Sequence, residues 1–241
     1  MARFSPKPPF NRPVRAVVAD IDGTITTPDR RLSMSAQAAV MRLEAVGIPV
    51  VLASGNVLPS VRTVAYLVGA SGPMVAENGG IVLYRGEEWK EVVERHADPA
   101  VALRAWEQVA ALVPGARRLL TDRWRETEVA IEEGVDIANV RDAVADLPVR
   151  VEDTGWAIHI IDARVSKGTG VLRALELIDV PPEEAMAVGD SENDLSVFGV
   201  CGLKVAVSRK VAALVAAADY VTRDTDGDGL FEAVSRLLGP P

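Results

Sequence analysis

Apolar residues recur along this chain in two rhythms, and the switches between them predict its elements. Residues 14–19 form a short β-branched run ending at Asp20, the pattern of a strand buried on both faces of a parallel sheet. Residues 33–46 then carry apolar positions at helical spacing, with Ser33 or Ser35 as N-cap and Gly47 as the stop. Residues 48–53 predict a second buried strand, 59–68 a second helix and 73–76 a third short strand. Strand, helix, strand, helix, strand is the signature of an α/β fold with a doubly wound parallel sheet.

After residue 80 the pattern changes. Residues 81–89 predict a hairpin turning at Arg85-Gly86, 100–113 a helix, and 128–132 alternate like a half-exposed strand. A helix over 136–146 follows, then paired strands at 149–152 and 157–161 around Thr154-Gly155. Together these make a smaller α+β insert, residues 85–161. From Gly168 the first rhythm resumes: a helix at 168–177, a strand at 185–188, a short helix at 193–198, a strand at 204–207, a helix at 211–217, a strand at 220–221 and a closing helix at 230–238. The core is therefore expected over 14–84 and 162–241. Residues 1–13, with Pro6, Pro8, Pro9 and Pro13, are expected to be a flexible N-terminal tail.

With 241 residues, 49% hydrophobic and 25% charged, the chain has the makeup of a globular protein large enough for a core and an insert. Its net charge of −8 opposes a nucleic-acid partner, which needs a basic face. Small anionic ligands stay open, because a local cluster of donors and a metal ion override the global field. No apolar run approaches the ~20 residues of a membrane span, and the N-terminus lacks the apolar centre of a signal peptide. A cytoplasmic location without a membrane partner is the expectation. Cys201, the single cysteine, has no histidine beside it and reads as a small core residue.

The candidate chemistry sits where the predicted strands end. Asp20-Ile21-Asp22-Gly23-Thr24 follows the first strand, and alternate residues of an extended segment point the same way. Asp20 suits a carboxylate nucleophile toward phosphorus, and Asp22 a general acid and base. Ser54-Gly55-Asn56 follows the second strand and offers a hydroxyl and backbone N–H groups to phosphate oxygens. Lys167, before Gly168-Thr169-Gly170, supplies a cation. Gly189-Asp190-Ser191-Glu192-Asn193-Asp194 follows another buried strand. Magnesium binds through few carboxylates plus water and phosphate oxygens, which makes Asp20 and Asp190 the natural ligands, with Asp194 direct or through water. Asn193 would cap a helix or orient Asp20. Singly, each cluster has an ordinary reading as a turn, a cap or a surface lysine; together they supply what phosphoryl transfer requires.

In order and spacing, DIDGT, SGN, the lysine before a glycine, and GDSEND resemble the haloacid dehalogenase-like phosphatase superfamily. The long insert resembles the α/β cap of its Cof-like branch. VVLASGN, VAENGG, GWAIHI and VGDSENDLSVF make the chain similar to the archaeal-type phosphoglycolate phosphatases. The resemblance covers everything after Pro13 and implies a Rossmann-like core, a Mg²⁺ cofactor and a small phosphorylated metabolite as substrate, 2-phosphoglycolate first among them. It implies that Asp20 is the nucleophile, forming a phosphoaspartate, and that Asp22 is the acid and base, its backbone carbonyl also reaching the metal. Ser54 with Gly55, Lys167 and Asn193 would contact phosphate, and Asp190 would bind metal, supported by Asp194.

Other positions are less defined. In the insert, Arg125 and His159 are candidates to recognise the rest of the substrate, arginine suiting a carboxylate; an alternating strand also places polar residues on its wet face. Glu77-Asn78-Gly79-Gly80 reads as a turn that positions the cap. Asp224-Thr225-Asp226-Gly227-Asp228-Gly229 mimics a calcium loop, but its twelfth position is Ser235 and a solvated loop is expected. Two alternatives stay open: a phosphatase for sugar phosphates or phosphoglycerates, and a non-catalytic, receiver-like phosphate-binding module. The insert also offers a surface for a homodimer.

Overall fold

The computed structural model describes residues 6–241; residues 1–5 of the expected tail lie outside the described residues. The chain runs β1 (Ala16–Ala19), α1 (Met34–Ala45), β2 (Val50–Ala53), α2 (Leu58–Val68), β3 (Met74–Ala76), β4 (Ile81–Arg85), β5 (Glu91–Arg95), α3 (Pro99–Leu112), β6 (Val129–Ile131), α4 (Ile137–Ala143), β7 (Val149–Asp153), β8 (Ile158–Asp162) and α5 (Lys167–Leu177). It continues through β9 (Ala185–Gly189), α6 (Leu195–Phe198), β10 (Leu203–Ala206), α7 (Ala212–Ala217), β11 (Tyr220–Val221) and α8 (Asp226–Leu238).

The large sheet has the order β11-β10-β9-β1-β2-β3-β4-β5. It is parallel from β11 to β3, and β4 and β5 add an antiparallel edge. Period-two alternation assigns its two faces. Val17, Ala19, Val50 and Leu52 pack under α1, α2 and α8, whereas Ala16, Val18, Val51 and Ala53 pack under α5, α6 and α7. Both faces being covered, these strands are apolar throughout. The doubly wound core is thus present as expected. A separate antiparallel sheet, in the order β6-β8-β7, packs one face on α3 and α4 around Ala105, Val109, Val140, Ile158 and Ile160; this is the α+β cap.

Four expectations need correction. The hairpin of β4 and β5 belongs to the core sheet, its turn falling at residues 86–90, so the cap elements begin with α3 rather than at residue 85. β6 is buried along its whole length, not half exposed: Val129 and Ile131 pack into the apolar cluster of the cap helices, and Ala130 between them is buried too. The described part of the tail is not loose: Phe10 is buried edge-on against Tyr220, and Arg12 Nη1 donates to the Gly202 carbonyl at 2.5 Å. The expected calcium-like loop is, from Asp226 onward, the first turn of α8. Gly227 makes this possible, since a side chain there would collide with Ser33, the N-cap of α1.

Cys201 is buried, and burial pushes its thiol up to about 12. Its reading as a core residue stands. Among the described residues, no helix is long and apolar enough to cross a membrane.

Candidate active site

β1 lies between β9 and β2 in the sheet. The residues that follow these three strands, Asp20, Asp190 and Ser54, are therefore neighbours at one carboxyl-terminal rim, where open α/β sheets bind ligands. Asp20 prolongs the ladder through its N–H to the Val188 carbonyl (3.0 Å), and Ser54 through its N–H to the Val75 carbonyl (2.9 Å). Gly23 carries the chain away with φ 79°, and a side chain there would overlap the Asp190 carboxylate.

Lys167 opens α5, whose N-terminus is fixed by a reciprocal capping box of Ser166 and Thr169. Its ammonium, 2% exposed, donates to Asp20 Oδ1 (2.8 Å), Asp194 Oδ1 (2.7 Å) and Asn193 Oδ1 (3.1 Å). An ammonium has three donors, and these acceptors take all of them. Burial opposes the charge on Lys167, but the Asp194 and Asp20 carboxylates overcome it and hold its pKa above the ordinary lysine range. The expected direct grip of Lys167 on phosphate would require exchanging one of these bonds; in this arrangement its charge reaches the substrate through Asp20. Asp194 is equally committed. Its Oδ2 accepts from the backbone of Asp190 (3.0 Å) and Ser191 (3.1 Å), so it shapes the loop as well as pairing Lys167. Asn193 accepts from Lys167 and Ser191 and donates to Asn78 (3.3 Å), which makes it a bridge within the protein more than a phosphate donor.

Asn56 is the functional residue that sequence reasoning underrated. Its Nδ2 donates to Asp22 Oδ2 at 2.6 Å and to Ser54 Oγ at 3.1 Å, and its backbone N–H also donates to Ser54 Oγ at 3.1 Å. With two acceptor positions filled, the Ser54 hydroxyl keeps its own proton for an incoming oxygen. The signal was its place in the Ser-Gly-Asn run.

Asp20, Asp190 and Asp194 each place a carboxylate oxygen within 4.8 Å of the others. Asp22 is not in this cluster; its Oδ2 is held by Asn56, and the metal contact expected of Asp22 is through its backbone carbonyl. Burial raises the Asp20 pKa well above the carboxylate range, opposed by Lys167 and reinforced by Asp194 and Asp190. Burial, then Asp194, pushes Asp190 up to about 7. Asp190 Oδ1 is buried without a hydrogen-bond partner. Three converging carboxylates against one lysine, with an orphaned oxygen among them, fit a hard divalent cation bound through oxygen. When bound, such an ion offsets carboxylate repulsion and draws charge from phosphate oxygens.

A cavity of about 450 Å³ opens above this rim between core and cap, lined by Asp20, Asp22, Ser54, Asn56 and Asp190 from the core and by Arg125, Trp156 and His159 from the cap. Both expected cap residues thus reach it. Alternation puts His159 on the face of β8 opposite Ile158 and Ile160, toward the core and not toward water. Neither is free, however. Arg125 is paired with Glu128 and donates to the Gly55 carbonyl (2.9 Å), and His159 Nδ1 lies 3.0 Å from Glu128 Oε1. Asn78 Nδ2 donates to Glu128 Oε2 (3.0 Å). Burial works against the Glu128 charge, yet Arg125 and His159 hold its pKa below the usual range.

The Glu77-Asn78 turn clamps the cap to the core. Asn78 has φ 52°, a left-handed conformation that asparagine tolerates. The Glu77 carboxylate accepts from the Glu126 N–H (3.0 Å), the Thr127 N–H (2.8 Å) and the Thr127 hydroxyl (2.7 Å). Burial, then Glu128, pushes Glu77 from 4.5 up to about 7 despite these donors. A carboxyl whose pKa rises on folding contributes stability that is full below the unfolded value and lost as pH climbs through the folded one. The wild type's stability against urea should therefore fall between pH 4.5 and about 7, and Glu77→Gln should reduce that slope. An identical slope in the variant would contradict this.

Comparison with known proteins places the chain. A family profile described as haloacid dehalogenase-like hydrolase matches residues 17–111 and 130–234. A phosphoglycolate phosphatase of Methanothermobacter thermautotrophicus is 39% identical over 226 residues, covering 94% of this chain and 100% of the relative. One from Methanococcoides burtonii is 34% identical, covering 93% of this chain and 97% of the relative. A solved structure from Thermoplasma acidophilum has a TM-score of 0.84 at 24% identity, covering 94% of this chain and 99% of its own, a likeness of fold. The chain belongs to the haloacid dehalogenase-like hydrolase family.

Proposed function

We propose that this chain is a Mg²⁺-dependent phosphatase that hydrolyses a small phosphorylated metabolite in the cytoplasm, with 2-phosphoglycolate as preferred substrate. The observation that carries the reading is the meeting of Asp20, Asp22, Ser54 and Asp190 on one cavity beneath a cap. In this reading Asp20 attacks phosphorus, the bond to the leaving oxygen breaks, and Asp22 protonates that oxygen. Asp22 then takes a proton from water as the water opens the phosphoaspartate, releasing phosphate and restoring Asp20. Ser54 donates to a phosphate oxygen, Lys167 holds Asp20 in place, and Asn56 fixes the angle of Asp22. Asp20 and Asp190 would hold the cation. The presence of Asp22 argues against a receiver-like module, which gains nothing from a group that speeds loss of its own phosphate. The phosphoglycolate preference is supported by the relatives at 34–39% identity that carry that name.

The test is phosphate release from para-nitrophenyl phosphate with Mg²⁺ and with EDTA, then kcat/KM across phosphoglycolate, phosphoglycerates and sugar phosphates. Mg²⁺-dependent release with phosphoglycolate preferred is expected. Release undiminished by EDTA would refute the metal assignment, and a preference for a sugar phosphate would refute the substrate.

A further inference from the structure

We infer that Arg30, an exposed residue of the core domain outside the catalytic motifs, selects substrates by binding a carboxylate on the group that carries the phosphate. The inference rests on the phosphatase reading and deepens it. A substrate with a second anionic group needs a cation in the cavity that is not already neutralised. Arg30 and Arg125 are the two arginines lining the cavity. The Arg125 side chain is 3% exposed and pairs with the fully buried Glu128 carboxylate, so it presents a neutral pair and would leave that carboxylate unpaired if it turned to substrate. Arg30, rather than the expected Arg125, is thus the cation assigned to the carboxylate.

Arg30 has the opposite situation. Among the described residues its guanidinium has no ion pair or hydrogen bond, because the adjacent acid, Asp29, is paired with Arg31 (2.9 Å). Its position is nevertheless set. Arg30 has φ 60° at the tip of a turn closed by the Arg30 N–H to the Thr27 carbonyl (2.8 Å) and the Thr27 N–H to the Arg31 carbonyl (2.9 Å). Its Cζ lies 4.4 Å from the centre of the Trp156 ring, across the core–cap boundary. A guanidinium stacked on an aromatic face keeps its in-plane N–H donors free, and two of them match a carboxylate. The deep part of the cavity is acidic and suits the phosphate only with a cation present, so a carboxylate on the same substrate needs a cation of its own. Of the residues lining the cavity, Arg30 offers it, with the Trp156 ring against its guanidinium.

The experiment compares kcat/KM for 2-phosphoglycolate with that for 2-hydroxyethyl phosphate, which carries a hydroxymethyl group in place of the carboxylate, in wild type, Arg30→Gln and Arg30→Lys. Wild type should favour phosphoglycolate. Arg30→Gln should lower the ratio about 10- to 100-fold, mostly through KM for phosphoglycolate, the scale of a charge-assisted hydrogen bond. Arg30→Lys, keeping the charge but not the fork, should fall between. Arg30 is exposed, so the fold should tolerate both changes. An unchanged ratio in Arg30→Gln overturns the role of Arg30 alone, and a wild type indifferent to the carboxylate overturns the phosphoglycolate preference along with it. A wild type inactive on both substrates overturns the phosphatase reading beneath it.

Discussion

Asp20→Asn is expected to abolish phosphate release, lowering kcat on the order of 10⁴-fold or more, as loss of a covalent nucleophile does elsewhere. The amide cannot form the acyl phosphate, and nothing else at the rim replaces it: Asp194 is tied to Lys167 and two backbone N–H groups, and Asp190 sits in the expected metal position. The fold should survive. Lys167 keeps Asp194 as counter-charge, and a buried carboxyl whose ionisation burial resists has been removed. Near-wild-type thermal melting with no turnover is the expected pair of results. Substantial activity in Asp20→Asn would mean another group attacks phosphorus.

Lys167→Met should damage activity and stability together. It leaves Asp20 and Asp194, both buried, without the ammonium they share. Removing one side of a buried ion pair typically costs about 3–5 kcal/mol, which for a chain of this size lowers the melting temperature by about 10 °C. Divalent cation should restore part of that loss by replacing the missing positive charge. Turnover should fall by about 10²- to 10³-fold, the scale of losing one fixed electrostatic partner. A variant that melts like wild type without metal would show that Lys167 does not hold the two carboxylates.

The parallel core was legible because its strands are covered on both faces and so read as unbroken β-branched runs. The catalytic rim was legible for a related reason: an acid or hydroxyl directly after such a run has only the sheet's end to occupy. Metal and lysine roles were less so, since whether Asp194 meets an ion or Lys167 depends on which side chain arrives from α5, far away in sequence. The cap clamp was less legible still. Glu128 looks like the start of an ordinary alternating strand, and its partners Asn78 and His159 come from distant parts of the chain and meet it only in three dimensions. Arg30 carried no signal beyond being a basic residue in a turn. β5 was lost to the insert because an edge strand with Glu91, Glu94 and Arg95 lacks the apolar density of its neighbours. Phe10 was hidden in a proline-rich segment with no periodicity. The Gly-rich start of α8 read as a loop because glycine is a poor helix former, whereas close packing against Ser33 leaves room for nothing larger.

The most direct test of the central claim is to look for the covalent phosphate. Asp22→Asn should still accept phosphate from para-nitrophenyl phosphate, whose leaving group needs little protonation, but should be slow to activate the water that removes it. Mixed with this substrate and Mg²⁺, then quenched in acid, it should release nitrophenol in a burst approaching one equivalent per chain. Peptide mass spectrometry should then find the phosphate on Asp20. A variant that turns over slowly with no burst and no modified Asp20, or that carries phosphate on another residue, would contradict nucleophilic attack by Asp20.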